Sequence, residues 1–183
     1  MTPSVEIRRW SNVRLDPDRA RMIADINAVF FQSSARQTFE NEEEKAAFRE
    51  TWLGRYLHHF PDLAFVAVDG SGRIVGYVIG SLEDPARDPL FADLELFSHF
   101  RDLTPRYPAQ LHVNLAPDWR GRGVGADLVN AFSDLAHSRG APGVHVVTAR
   151  GMRNVRFYLA QGFLERGALA LNGRELLFLG RDL

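Results

Sequence analysis

The stretch from Ala109 to Leu128 constrains the fold most, because it joins a strand pattern to a helix pattern through a turn rich in glycine and arginine. The segment "AQLHVNLAP" alternates apolar and polar residues and stops at Pro117, which cannot donate to a sheet ladder. The turn Arg120–Gly125 reads "RGRGVG", and apolar residues at helical spacing follow it. These patterns predict a strand, a tight turn and an amphipathic helix in succession.

Similar patterns along the rest of the chain predict one α/β domain spanning residues 1–183. The predicted strands are Val5–Trp10, two runs around the turn Asp69–Gly72, the segment "GVHVVTA", and two runs around Asn172-Gly173. Three further helices are predicted: one from Asp18, with Asp16 or Asp18 as cap and Pro17 in its first turn, a continuous one over residues 38–60, and one over "NVRFYLAQGF". A short helix is expected between Pro85 and Pro108.

The composition excludes several classes of function. The chain has 183 residues, a net charge of -1 and no cysteine, which excludes disulfides, cysteine-based zinc sites and a cysteine nucleophile. It is not basic enough to argue for nucleic acid, and no run reaches the roughly 18 to 20 apolar residues that span a bilayer. The first ten residues lack the apolar core of a secretory signal. We therefore expect a cytoplasmic protein without membrane, nucleic-acid or metal partners.

The glycine turn has the properties of an anion site. A helix start offers unpaired N–H groups and the positive end of the helix dipole. Gly121, Gly123 and Gly125 have no Cβ to hold an anion away from those amides, while Arg120 and Arg122 can contact phosphate oxygens. A diphosphate is the natural ligand. The alternative is a tight, solvated connection whose arginines face water.

Two common phosphate motifs do not fit this turn. A P-loop needs Lys and Ser/Thr after its last glycine, where this chain has Ala126-Asp127. A dinucleotide fingerprint needs G-x-G-x-x-G and an acidic residue about 20 positions later, and neither is found.

The spacing Arg-x-x-Gly-x-Gly, formed by Arg120, Gly123 and Gly125, resembles the motif of the GNAT superfamily of acyl-CoA-dependent N-acyltransferases. The later segment "FYLAQGF" is similar to that family's F-Y-x-x-x-G-F. The resemblance implies a mixed, mostly antiparallel sheet flanked by helices, with splayed fourth and fifth strands, and acetyl-CoA as cofactor. The second half also resembles bacterial relatives of the acetyltransferase-like domain of protein O-GlcNAcase.

The resemblance also implies roles for individual residues. The cofactor pyrophosphate would be held by the backbone of the turn, residues Arg120, Gly121, Arg122, Gly123, Val124 and Gly125. Backbone amides near Asn114 and Leu115 would hold the pantetheine arm or polarise the thioester carbonyl. Tyr158 would be the general acid, since a phenol with pKa about 10 can protonate a thiolate. From periodicity alone, packing under the helix is the favoured interpretation of Tyr158, and the family resemblance reverses that preference.

Two positions depart from the family pattern. The family often has Asn seven residues before the tyrosine, where this chain has Gly151, and Asn154 is the candidate substitute. In the O-GlcNAcase-like subgroup an Asp is expected at position 114, and Asn114 cannot act as a base.

His112 is one candidate for the base, because its intrinsic pKa suits the task, and Glu83 and Asp84 after the third predicted strand are others. Leu111, Val113 and Leu115 share one face of the predicted strand, so that His112 and Asn114 lie on the other. A structural role for this histidine remains the alternative.

Three functions are consistent with these residues. The first is an N-acetyltransferase that acts on a small or protein amine by direct attack in a ternary complex. The second is a catalytically weak acyl-CoA-binding module, and the third is an unrelated binder of phosphate ligands. By resemblance, the chain is also a candidate homodimer.

Overall fold

The fold is described from a computed structural model that covers residues 5–13 and 15–183. Residues 1–4, part of the segment predicted to lack a secretory signal, lie outside the described residues. Within the described ranges, no helix is both long enough and apolar enough to cross a membrane.

Strands and helices are mixed along the chain, with most of the helices of the first half between β1 and β2. The strands are β1 Val5–Arg9, β2 Phe65–Asp69, β3 Ile74–Ser81, β4 Ala109–Leu115, β5 Gly143–Ala149, β6 Leu164–Leu171 and β7 Arg174–Asp182. The α-helices are α1 Trp10–Val13, α2 Arg19–Ser33, α3 Glu42–Arg49, α4 Arg55–His59, α5 Glu95–His99, α6 Val124–Ser138 and α7 Arg153–Ala160. A π-helical turn, Glu50–Gly54, joins α3 to α4.

The strands form one sheet in the order β1-β2-β3-β4-β5-β7-β6. The pairs β1–β2, β2–β3, β5–β7 and β6–β7 are antiparallel, and β4–β5 is parallel. The β4–β5 ladder joins Ala109 to Val144 and Gln110 to His145, at the first residues of β4. This confirms the predicted mixed, mostly antiparallel sheet, with a fourth strand that pairs with the fifth only at its start.

The chain divides into two compact units. The first comprises Met1–Gly80 and His112–Phe132, and the second comprises Ser81–Leu111 and Ser133–Leu183. In the first unit the core contains side chains at most 1% exposed, namely Met22, Ile26, Leu53, Tyr56, Tyr77 and Ile79. In the second unit, Phe100, Tyr107 and Phe178 pack as one apolar cluster.

Both predicted hairpins are confirmed, and side-chain or backbone chemistry explains each turn. Asp69 Oδ1 accepts hydrogen bonds from the backbone N–H groups of Ser71 and Arg73, which closes the β2–β3 turn. Asn172 and Gly173 have φ angles of 49° and 73°, the conformation that a tight β6–β7 connection requires.

Two N-terminal predictions were wrong in detail. Trp10 begins α1 instead of ending β1, and its N–H donates to the carbonyl of Ala64 at 2.8 Å. Helix α2 begins at Arg19, so that Pro17 precedes its first turn. The Asp18 side chain makes no capping bond, because its carboxylate pairs with Arg21 at 2.9 Å.

The helix predicted over residues 38–60 is shorter and interrupted. It begins at Glu42, where Asn41 Oδ1 caps the N–H of Glu44 at 2.8 Å. The π-helical turn that follows has the i→i+5 hydrogen-bond pattern, an irregularity that is frequent at functional sites. The hydrophobic pattern does not reveal this turn, because its five residues are flanked on both sides by helical residues and no Gly-Pro or Pro signal precedes it.

Candidate active site

The glycine turn has the backbone that the anion-site hypothesis requires. Gly121 and Gly123 have φ angles of +73° and +86°, which residues with a side chain rarely adopt. A Cβ placed on either residue would meet no heavy atom within 4 Å. Helix α6 starts at Val124 directly after these glycines, and Gly125 is already inside the helix and buried. The turn therefore exposes backbone in front of the N-terminus of a long helix.

The two arginines of the turn differ in their contacts. Arg122 is exposed, and its guanidinium carbon lies 5.4 Å from the centre of the Trp119 ring. Arg120 is half-buried, and its Nε donates to the carbonyl of Leu115 at 3.2 Å. The local sequence pattern does not distinguish these two arginines.

The end of β4 is held by hydrogen bonds within the first unit. Asn114 Nδ2 donates to the phenolic oxygen of Tyr77 at 2.7 Å, and Tyr77 is fully buried. Gly76 faces the same strand end so closely that a Cβ there would stand 2.3 Å from Leu115 Cδ2. Burial in β4 depends on the position along the strand and does not alternate between its two faces. Residues 109–111 are buried, and residues 112–115 are half-buried.

His112 lies among aromatic side chains of the interrupted helix. Its Nε2 is 3.4 Å from the hydroxyl of the fully buried Tyr56, and the Trp52 ring meets its ring edge-on at 6.1 Å. Burial lowers the pKa of His112 to about 4. The imidazole is therefore neutral at pH 7 and can exchange hydrogen bonds without carrying charge.

A cavity of about 630 Å³ lies where α2 leads into α3. It is lined by Phe31, Arg36, Gln37, Thr38, Phe39, Glu40, Asn41, Glu42 and Lys45. Arg36 stacks 4.9 Å from the centre of the Phe39 ring and pairs with Glu44. Both charges and aromatic surface are therefore available in this part of the first unit.

Tyr158 and Asn154 lie in the second unit, on α7. Tyr158 is 2% exposed, with its ring against Phe157 and Phe163. Asn154 is exposed, and its Oδ1 accepts a hydrogen bond from Thr148 Oγ1 at 2.9 Å. Gly151 has a φ angle of +83°, so that glycine at this position is explained by the backbone of the turn before α7.

The segment between Pro85 and Pro108 supplies packing to the second unit. Its aromatic side chains are at most 4% exposed, namely Phe91, Phe97, Phe100 and Tyr107. In the sequence alone, these residues are compatible with an apolar wall for the acceptor or with core packing, and their burial favours packing.

Comparison with known proteins decides the family. The sequence model of the acetyltransferase (GNAT) family matches residues 26–163. The chain belongs to this family. A solved structure named SsHAT is 28% identical over 98% of both chains, with a TM-score of 0.73.

Two more distant structures share the GNAT fold. The NatC complex bound to Gag peptide and CoA is 17% identical over 98% of this chain and 99% of that one, with a TM-score of 0.64. Chaetomium thermophilum Naa20 in complex with a bisubstrate analogue is 20% identical over 98% and 87%, with a TM-score of 0.63. Membership in the GNAT family makes the protein an acetyltransferase that uses acetyl-CoA.

The residues present fit that cofactor. The turn around Gly121 and Gly123 leaves open space for a diphosphate in front of α6, and Arg122 adds an exposed positive charge. Acetyl-CoA supplies an acetyl group activated as a thioester.

Sequence reasoning did not find Tyr56, Tyr77 and Ser33 as neighbours of the candidate site. Tyr56 and Tyr77 contact β4 residues 56 and 37 positions away in the sequence, and Ser33 Oγ donates to the Leu115 carbonyl across 82 positions. No local pattern carries such information.

Proposed function

We propose that the protein is an N-acetyltransferase that transfers acetyl from acetyl-CoA to a primary amine by direct attack in a ternary complex. GNAT enzymes act on amine substrates. The chain has no cysteine to carry an acyl group, so that direct attack requires the fewest steps. The observation that carries the proposal is the open glycine backbone before α6.

In this proposal the turn binds the diphosphate. The N–H groups of residues 121–125 provide donors, the α6 dipole favours negative charge, and Arg120 and Arg122 add positive charge. The positive φ angles of Gly121 and Gly123 support this role, since they bring backbone instead of side chain to the surface.

The amides of Asn114 and Leu115 hold the acyl end of the cofactor in this proposal, and Asn154 holds its arm. The contacts that fix β4 support the first assignment, because a fixed backbone donor stabilises developing charge without reorganising. Asn154 is supported by its exposure and by the Thr148 hydroxyl that orients its carboxamide.

We propose Tyr158 Oη as the source of the proton for the leaving thiolate and His112 Nε2 as the acceptor of the amine proton. A neutral imidazole is ready to accept a proton at pH 7. With a pKa of about 4, His112 is a weak base. Transfer of a proton from an α-ammonium of pKa about 8 to His112 would cost about 5 kcal/mol. His112 therefore acts only as the C–N bond forms and the amine proton becomes more acidic.

The test is calorimetric titration of the protein with acetyl-CoA and CoA, with ATP and NAD as controls. Gly123→Glu places a carboxylate and a Cβ where we propose the diphosphate. Gly173→Glu is the matched control, because Gly173 also has a positive φ angle and open space but lies in the β6–β7 turn. We expect micromolar binding of acetyl-CoA that Gly123→Glu abolishes and Gly173→Glu retains. Equal loss in both variants, or no binding by the wild type, would contradict the proposal.

A second candidate function is a catalytically weak acyl-CoA-binding module. The observation that favours it is the Asn114 carboxamide, which bonds to Tyr77 and has no titratable group. This candidate predicts wild-type cofactor binding without acetylation in a screen of primary amines and amine-bearing peptides.

We also propose that residues 1–183 act as one domain. The three boundaries between the two units fall inside β3, inside β4 and inside α6, and a division between independent domains rarely cuts secondary-structure elements. Limited proteolysis that releases a folded fragment would contradict this.

The homodimer and the cytoplasmic location stay predictions. Strand β6 ends the strand order, and its Leu164 is 54% exposed, as an edge that pairs with a second copy requires. Sedimentation that remains monomeric at high micromolar concentration would exclude the dimer.

A further inference from the structure

The carbonyl of Leu115 accepts two side-chain hydrogen bonds. Arg120 Nε donates to it at 3.2 Å and Ser33 Oγ donates at 3.3 Å. Ser33 is the last residue of α2, and Arg120 begins the glycine turn. One backbone oxygen at the end of β4 is therefore joined to a helix on one side and to the candidate phosphate turn on the other.

The same peptide group is also fixed at its nitrogen. The N–H of Ala116 donates to the carbonyl of Val75 on β3 at 2.9 Å. With its oxygen and its N–H both bonded, the peptide plane between Leu115 and Ala116 cannot rotate without breaking hydrogen bonds. The end of β4, where Asn114 lies, is therefore attached to β3.

The contact of Arg120 has a specific geometric requirement. A guanidinium presents its Nε proton sideways from a planar group, and a lysine ammonium has no equivalent donor at that position. The exposed Arg122 has no such requirement, since its contact in the described residues is a stacking contact with Trp119.

We infer that Arg120 is a positioning residue, which holds the end of β4 through the Leu115 carbonyl so that this strand receives the acyl end of acetyl-CoA. Arg122 supplies charge to the diphosphate. This inference rests on the proposed function, because it assumes that β4 binds the acyl end and that the turn binds the diphosphate.

Two measurements separate the positioning role of Arg120 from the contribution that both arginines make to diphosphate binding through their charge. The first is the ratio of the dissociation constants for CoA and acetyl-CoA, which reports on the acyl end alone. The second is the dependence of affinity on salt concentration, which reports on exposed charge pairs. A merely structural defect would lower both affinities together and would leave the ratio unchanged.

The experiment titrates CoA and acetyl-CoA into the wild type and into Arg120→Lys, Ser33→Ala and Arg122→Gln at several salt concentrations. In Arg120→Lys we expect the preference for acetyl-CoA over CoA to fall about tenfold. The salt dependence of its affinity should stay unchanged, because lysine keeps the positive charge. Ser33→Ala should lose part of the same preference, since its hydroxyl bonds to the same oxygen. Arg122→Gln should weaken both ligands equally and flatten the salt dependence.

The opposite pattern overturns the inference. If Arg120→Lys binds both ligands as the wild type does, the Nε contact has no role beyond charge. A wild type that binds CoA and acetyl-CoA equally would also overturn it, because no acyl-end preference would exist for Arg120 to maintain. A wild type that binds neither ligand refutes the proposed function itself, which is a distinct result.

Discussion

The Asn114 carboxamide donates a hydrogen bond to the Tyr77 hydroxyl at 2.7 Å, and this contact links a half-buried residue of β4 to a fully buried residue of β3. It orients an amide side chain at the strand end where we propose that the acyl group binds. The nearby His112 has a similar arrangement, since its Nε2 faces the hydroxyl of the buried Tyr56. Buried tyrosines thus orient both polar side chains of this strand end.

Loss of the Tyr77 hydroxyl should destabilise the protein. In Tyr77→Phe, Asn114 Nδ2 loses its acceptor, and we expect the free energy of unfolding to fall by about 1 to 3 kcal/mol. Urea denaturation measures this change. In a double-mutant cycle with Asn114→Ala, the combined loss should be smaller than the sum of the single losses. Strict additivity would show that the hydrogen bond contributes nothing.

A side chain at position 76 should disturb the end of β4. In Gly76→Ala, the new Cβ would stand 2.3 Å from Leu115 Cδ2 and 3.1 Å from the carbonyl oxygen of Asn114. We expect a destabilisation of about 1 to 3 kcal/mol from overpacking, together with weaker binding of acetyl-CoA. Gly70→Ala is the control, because a Cβ at Gly70 meets nothing within 4 Å. In the double variant Gly76→Ala/Leu115→Ala, the shorter side chain at position 115 should restore part of the stability that Gly76→Ala loses.

Stability should depend on the protonation of His112. Its pKa is about 4 in the folded protein and about 6.5 in the unfolded chain. Between these values the unfolded state binds more protons, so that stability falls as the pH falls from 6.5 to 4. Over this pH range the free energy of unfolding falls by about 3 kcal/mol through His112. This part of the stability is fully present only above pH 6.5.

Urea denaturation of the wild type and of His112→Gln between pH 4 and pH 7.5 tests this linkage. The variant should lose less stability on acidification than the wild type. Parallel curves for the two proteins would show that His112 titrates at its ordinary pKa.

The proposed acid is tested by removing one hydroxyl. Tyr158→Phe should lower kcat by about 10²-fold or more and leave the dissociation constant for acetyl-CoA unchanged. Tyr107→Phe is the matched control, because Tyr107 is also buried and its hydroxyl has no hydrogen-bond partner within the described residues. An unchanged kcat in Tyr158→Phe would assign this tyrosine to packing.

The features that follow from local chemistry were predictable from the sequence. Gly121 and Gly123 adopt positive φ angles, which their lack of a Cβ permits and which few other residues adopt, so the turn before α6 could be recognised from the sequence alone. The hairpin at Asn172-Gly173 was predictable for the same reason. The mixed sheet with splayed fourth and fifth strands was expected from the family resemblance, which implies a topology that hydrophobic spacing alone does not.

The contacts that orient the candidate site could not be predicted in this way. The partner of Asn114 depends on the register between β3 and β4, and the partner of His112 depends on a helix far away in sequence. Arg120 and Arg122 are chemically identical and two residues apart, yet one bonds to Leu115 and the other stacks on Trp119. Only the three-dimensional backbone distinguishes them.

The π-helical turn at Glu50–Gly54 takes up one residue more than an α-helical turn does. Each residue of an α-helix turns the chain by about 100°, and the wider i→i+5 turn distributes about the same total rotation over one additional residue. Removing one residue here would therefore restore a regular α-helix and leave the helix that follows in nearly the same orientation relative to α3. Tyr56 would stay beside His112, while the residues of the turn itself would shift. In a relative of this protein, a one-residue gap at this place would therefore be compatible with the same contact between Tyr56 and β4.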